Sequence, residues 1–238
     1  MLVEEELARF SRGKDTLLTV GVFDGVHLGH RHLISRLVEQ ARQCNLLPGV
    51  VTFRQHPQEV LSDTKLPFLT DLEERIRLIK ETGVEFIIPL SFSPELSHLT
   101  PRQFVHLLKE YLRMRGLVIG PDFALGRNRE GSVETLIALG KEMGFTVAIV
   151  SPMIINGEVV SSTAIREALV RGNMKKVAKM VGRPFSLQAS VVTGAGRGVK
   201  LGFPTANLRI SPEQAIPADG VYASLTYING RAYPSMTY

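Results

Sequence analysis

Short apolar runs recur along the chain, and stretches of helical period separate them. Residues 17–20, 50–53, 85–90, 117–120 and 145–150 read as five strands. A helix is expected over 30–44, with Leu33, Leu37 and Ala41 on one face and Pro48 and Gly49 breaking the chain after it. Thr70 to Glu73 reads as a capping box opening a helix with Leu72, Ile76 and Ile79 inward, closed at Gly83. Thr100 to Gln103 reads as another, with Pro101 at the first helical position and Phe104, Leu107, Leu108 and Tyr111 as the buried stripe. A polar loop over 121–132 leads to a helix ending near Gly144. Alternation of this kind predicts an α/β fold, a parallel sheet with helices on both faces, whose ligands sit beyond the carboxyl ends of the strands.

The texture changes after residue 182. Gly182-Arg183-Pro184 breaks the last helix, and the remainder is strand-like and punctuated by Gly and Pro. Residues 185–193 and 220–228 read as strands, and Asn229-Gly230 as a hairpin turn. Two domains are expected, 1–182 and 183–238; the second, of 56 residues, has little core of its own.

Composition narrows the class. The hydrophobic share is 44% and no apolar run approaches the ~18–20 residues of a membrane span, so no membrane partner is expected. The N-terminus lacks a basic-then-apolar signal pattern, and the single cysteine, Cys44, excludes an internal disulfide; a cytoplasmic protein is expected. Net charge is +5, mild and scattered, which suits a polyphosphate ligand better than nucleic acid. The densest basic stretch, Arg171 to Arg183, reads as the solvated side of a helix. Oligomeric state is not legible.

The chemistry concentrates where the first strand ends. Gly21-Val-Phe-Asp-Gly25 and His27-Leu-Gly-His30 form a turn before a helix. A helix start presents free N–H groups and a positive dipole end to an anion, glycines permit close approach, and two imidazoles add donors. A zinc site does not fit, since there is no thiolate set and no His-Glu-x-x-His spacing.

His27-Leu-Gly-His30 after a first strand resembles the signature of the cytidylyltransferase-like nucleotidyltransferases. Three further strings follow strands or open a helix: Val51-Thr-Phe-Arg-Gln-His-Pro57, Ile119-Gly-Pro-Asp-Phe-Ala-Leu-Gly-Arg127 and Ser161-Ser-Thr-Ala-Ile-Arg166. Together they resemble the FMN adenylyltransferase module of prokaryotic bifunctional riboflavin kinase/FAD synthetases over about residues 16–182. The resemblance implies a Rossmann-like nucleotidyltransferase fold and the reaction ATP + FMN → FAD + pyrophosphate, with Mg²⁺ bridging the phosphates. It implies that His27, His30 and Arg166 are catalytic. By the same resemblance Gly21, Phe23, Asp24, Gly25, Gly29, Arg127, Ser161, Ser162 and Thr163 bind ATP. Thr52, His56, Pro57 and Asp122 would face FMN. Arg54-Gln55 stands where relatives often carry Asp-Pro.

Gly194-Ala-Gly-Arg-Gly-Val-Lys-Leu-Gly-Phe-Pro-Thr-Ala-Asn207 closely resembles the riboflavin kinase module of the same proteins, a β-barrel. This implies a nucleotide loop at Gly196, Arg197, Gly198 and Lys200, and Mg²⁺ contacts at Thr205 and Asn207. The family's module continues past the position matched by Tyr238 and supplies a glutamate base there. The expectation is therefore a partial barrel in a truncated product or fragment, with FAD synthesis retained and phosphorylation of riboflavin absent. Alternatives are another nucleotidyltransferase of this fold with a different acceptor, and a non-catalytic flavin- or nucleotide-binding protein. A nucleic-acid binder rests on the isoelectric point alone, with no aromatic–basic platform behind it.

Overall fold

The computed structural model describes residues 3–10, 13–62, 66–194, 202 and 205–238. The elements run α1 Val3–Ala8, β1 Thr16–Val20, α2 Leu28–Gln43, β2 Leu47–Phe53, α3 Pro57–Ser62, α4 Leu72–Lys80, β3 Phe86–Leu90, α5 Pro94–His98 and α6 Pro101–Leu112. They continue β4 Met114–Ile119, α7 Val133–Met143, β5 Thr146–Ile149, β6 Ile154–Ile155, β7 Glu158–Val159, α8 Ser162–Val170 and α9 Met174–Val181. Beyond these lie β8 Ala189–Val192, β9 Asn207–Ile210, β10 Tyr222–Ile228 and β11 Arg231–Thr237.

Five parallel strands form one sheet in the order β3-β2-β1-β4-β5. Successive side chains of a strand point to opposite faces. Leu17 therefore packs with Ile34, Leu37, Val38 and Ala41 of α2 and Leu78 and Ile79 of α4. Leu18 and Val20 pack on the other face with Phe104, Val105 and Leu108 of α6 and Leu136 of α7. Each fully buried Leu or Ile contributes roughly 1.5–3 kcal/mol of transfer free energy. A third apolar cluster joins α8, α9, Leu69 and Ala215. The strand order reverses between β1 and β4, and the crevice beyond their carboxyl ends is where such sheets take ligands.

Several boundaries differ from the sequence pattern, each for a local reason. Pro48 and Gly49 lie inside β2, paired with Leu17 and Leu18, and do not precede it. Pro48 is near the strand's start, where its missing N–H is tolerated. Gly49 makes room for the ring of Phe86: an added Cβ would fall 2.2 Å from it. The helix after β1 begins at Leu28, two residues early, because the His27 side chain caps it. The capping box expected at Thr70 is absent. Asp71 is the N-cap of α4, accepting from the Glu74 amide, and the Thr70 hydroxyl accepts from Gly25 N instead. The inward face of α4 is Arg75, Leu78 and Ile79; Ile76 is only partly buried. The second box is present as expected, with Thr100 and Gln103 exchanging hydrogen bonds.

Beyond residue 182 the strands form two separate antiparallel ladders, β8–β9 and β10–β11, with Asn229 (φ 49) and Gly230 (φ 78) turning the second. Only 189–192 of the expected 185–193 strand is extended in a ladder; Phe185 packs back on the α8–α9 cluster. Among the described residues of this part, Ala215 is the one buried apolar side chain. Its segment is tied to the first part: Phe68 N donates to Glu213 O (2.7 Å), Ala215 N to Phe68 O (2.7 Å), and Ala218 N to Leu169 O (3.0 Å).

Candidate phosphate-binding site

The turn after β1 is held in an unusual conformation. Phe23 (φ 53), Gly25 (φ 78) and Val26 (φ 37) all have positive φ. For a β-branched residue such as Val26 this is strained and persists only where neighbours over-determine it. They do so by taking the turn's carbonyls. Val22 O accepts from Thr52 Oγ1 (2.9 Å) and Arg75 Nη1 (2.8 Å). Asp24 O accepts from Ser162 Oγ (3.0 Å), Gly25 O from Arg183 Nη2 (2.9 Å) and Val26 O from Arg183 Nη1 (3.3 Å). The Asp24 side chain, 2% exposed, accepts from the amides of Leu69 and Thr70 and from Arg166 Nη2 at 2.5 Å. Burial pushes its carboxyl up; Arg166 and the two amides act against that and favour the carboxylate.

With its carbonyls engaged in this way, the turn delivers the start of α2 to the crevice. His27 Nδ1 accepts from His30 N (3.3 Å), which places the proton of the neutral ring on Nε2. The amides of Leu28 and Gly29, in the first turn, have no intrahelical acceptor. The His27 and His30 rings stack at 3.6 Å, and Phe23 meets His30 edge-on at 5.2 Å. His30 Nδ1 is buried without a hydrogen-bond partner among the described residues. The cleft in front measures about 360 Å³, within the range of ligand pockets. It is lined by this turn, by Gly120 to Phe123 after β4, by Ser151 to Met153 and by Val160 to Ser162.

The electrostatics suit an anion. Burial first, then Arg183 and Arg166, push the His27 pKa down to about 4. Burial, His27 and Arg75 push His30 well below its ordinary value. Burial, Arg166 and Arg75 push His56 down to about 4. These imidazoles are neutral at pH 7 in the folded chain, while in the unfolded chain they titrate near 6.5. Between pH 6.5 and 4 the unfolded chain therefore binds more protons. The stability they contribute is complete above about pH 6.5 and is lost as pH falls toward 4. The slope is up to about 1.4 kcal/mol per pH unit for each deeply buried histidine, and less for half-buried His56. Urea midpoints at pH 7.5, 6 and 5 check this; a flat profile would contradict the burial of the pair.

The cleft brings together Gly21, Phe23, His27, Gly29, His30, Asp122, Ser161 and Ser162. Asp24 and Gly25 belong to the turn but do not line the cleft, and Thr52 and Arg166 brace the turn from behind. Thr52 is fully buried, and its hydroxyl is committed to Val22. Arg127 stands apart in the turn Arg127–Arg129, paired with Glu130 at 3.3 Å. Thr163 is exposed on α8. Pro57 opens helix α3 and His56 precedes it, 6.0 Å from the Phe68 ring. Thr205 and Asn207 are exposed, the latter starting β9; Gly196, Arg197, Gly198 and Lys200 lie outside the described residues. No group of three or more His, Cys, Asp or Glu among the described residues is placed to hold a metal ion. No helix among them is long and apolar enough to cross a membrane.

Three residues of the site escaped sequence reasoning. Thr70 was taken for a helix cap. Arg75 lies on the inward stripe of α4, where a charge among apolar positions was the available signal; it is 1% exposed, its guanidinium 5.1 Å from the Phe68 ring. Arg183 was counted with a solvated basic face, yet it lies past the end of α9 and bonds to the turn.

Sheet order defines a doubly wound α/β protein, with a helix start suited to an anion at its switch point. The FAD synthetase family model matches residues 10–164, and the riboflavin kinase model matches 181–238. The chain belongs to the FAD synthetase family. It is 38% identical over 209 residues to a bifunctional riboflavin kinase/FMN adenylyltransferase of Escherichia coli K12, covering 87% of this chain and 66% of the relative's length. The enzyme of the same name from Bacillus subtilis 168 is 32% identical over 235 residues, covering 98% and 72%. A crystal structure described as a macrolide-efflux protein from Streptococcus pneumoniae superposes with a TM-score of 0.87 at 31% identity, covering 96% of this chain and 75% of that one.

Proposed function

We propose that the chain transfers the adenylyl group of ATP to FMN. An FMN phosphate oxygen attacks the α-phosphorus of ATP, the bond from that phosphorus to the β-phosphate bridging oxygen breaks, and FAD and pyrophosphate form. The observation that carries the reading is the stacked His27–His30 pair at a helix start whose Leu28 and Gly29 amides have no intrahelical acceptor, facing the switch-point cleft of a chain that belongs to the FAD synthetase family.

No protein nucleophile is needed, so the work is positioning and charge stabilisation. The His27 Nε2–H, the Leu28 and Gly29 amides and the dipole of α2 act on the phosphate oxygens. His30, neutral and unpartnered at Nδ1, supplies the second imidazole. Bound polyphosphate favours protonation of both rings, and so strengthens the donors as charge builds on the leaving pyrophosphate. The Ser161 hydroxyl accepts from Ala164 N and keeps its own hydrogen for the ligand. Ser162 and Arg166 act through the turn, by way of Asp24. Gly21, Phe23 and Asp122 line the nucleotide cleft. FMN approaches from the carboxyl end of β2, where His56 and Pro57 lie. Mg²⁺ is part of the proposal: the cleft offers hydroxyls and Asp122 as the one carboxylate of its lining, a set that fits a cation held mainly by phosphate oxygens and water. When bound it neutralises phosphate charge. Thr205 and Asn207 are likewise neutral donors that fit a phosphate-held cation.

The test is conversion of FMN to FAD by the chain with ATP and Mg²⁺, one pyrophosphate per FAD. With riboflavin in place of FMN no FMN is expected, since the described strands beyond 182 form two open ladders with no buried strand residue. Formation of FMN would overturn that second arm alone.

A further inference from the structure

We propose that Arg183 is a positioning residue of the phosphate turn: its guanidinium holds the carbonyls of Gly25 and Val26 from behind and so sets the peptide planes that aim His27 and the start of α2 into the cleft. The inference rests on the reading of that cleft as an ATP site.

Two observations place it there. First, α9 ends at Gly182 with φ 79, and an added Cβ would fall 2.5 Å from Leu28 Cδ2. Leu28 is the first residue of α2. The glycine thus lets the end of α9 close on the start of α2, and the next residue emerges beneath the turn. Secondly, Arg183 directs its hydrogen bonds at carbonyls: Gly25 O at 2.9 Å, Val26 O at 3.3 Å and Val181 O at 3.5 Å. Among the described residues no carboxylate pairs with it. Glu74 and Glu81 act on its charge from beyond ion-pair distance, while its hydrogen bonds go to carbonyls of the turn and of Val181.

The guanidinium suits the task because it is a planar fork that can meet two carbonyls together, whereas an ammonium is a point donor. The need for it lies in the turn. Gly25 has no Cβ to restrict it, and Val26 is strained, so the two peptides that follow them can relax once their carbonyls are released. His27 follows directly and would lose its aim. The same charge bears on the His27 ring, which also faces Arg166 of α8 and His30 of α2.

The experiment compares wild type, Arg183→Gln and Arg183→Lys by calorimetric ATP binding, thermal melting and NMR titration of the His27 imidazole. Arg183→Gln is expected to bind ATP at least about tenfold more weakly, as loss of charge-assisted hydrogen bonds implies, and to move the His27 titration up toward its ordinary value. Arg183→Lys is expected to fall between, with the charge kept and the fork lost. A folded Arg183→Gln with wild-type ATP affinity and an unmoved His27 would overturn the proposal. If that variant does not fold, Arg183→Lys decides: wild-type affinity overturns the proposal and weakened affinity supports it. A wild type that binds ATP without forming FAD sinks the FMN reading and leaves the Arg183 result standing. A wild type that binds no ATP sinks the reading of the cleft, and the His27 titration then decides Arg183.

Discussion

Replacing His30 with alanine is expected to lower FAD formation by at least about a hundredfold, in the range seen when one preorganised donor to a developing oxyanion is removed. The ring has few other duties: it stacks on His27 and meets Phe23, and its Nδ1 bonds to nothing among the described residues. A buried polar atom without a partner is costly, and a ligand that satisfies it repays the cost. The loss should fall on kcat more than on KM, because charge on the phosphates grows toward the transition state. Some stability will go too, since a buried ring leaves a cavity. Steady-state kinetics beside urea melts separate the effects. His27→Ala should cost at least as much, because that side chain also caps α2, a contribution of about 1 kcal/mol. Unchanged kcat in a folded His30→Ala would remove the proposed role of the pair.

The largest loss of stability is expected from Asp24→Asn, about 3–5 kcal/mol by urea unfolding. Asp24 and Arg166 are both shielded from water, with side chains 2% and 15% exposed. Removing one charge leaves the other buried and uncompensated. The amide would also point an NH₂ group at the donors now supplied by Leu69, Thr70 or Arg166. Asp24 therefore shapes the site from behind, and the variant should lose ATP binding together with stability. A change below about 1 kcal/mol would mean that the pair is solvated and that the turn is held by other contacts.

The periodic signals in the sequence sufficed for the sheet. Five apolar runs and the helices between them correspond to β1–β5 and their neighbours, because parallel strands covered on both faces are continuously apolar and period 3.6 follows from helix geometry. The turn from Gly21 to His30 was legible for a similar reason: glycines and histidines before a helix have local meaning. What was not legible is the brace behind it. Thr70, Arg75 and Arg183 lie 45, 53 and 158 positions from the turn residues they hold. A threonine before an acidic stretch looks like a cap, and an arginine beside lysines looks like solvated surface. Only the fold brings them to one place. Pro48 and Gly49 misled in the opposite way, since both are local breakers, yet β2 passes through them where its neighbours tolerate a missing N–H and need space for Phe86.

Adenylyl transfer to FMN is tested most directly by following the α-phosphate. The chain is mixed with FMN, Mg²⁺ and ATP labelled at the α-phosphorus, and the products are separated by chromatography. Label is expected in FAD, with unlabelled pyrophosphate formed in equal amount. Label that stays in ATP, or that appears as AMP without FAD, would contradict it.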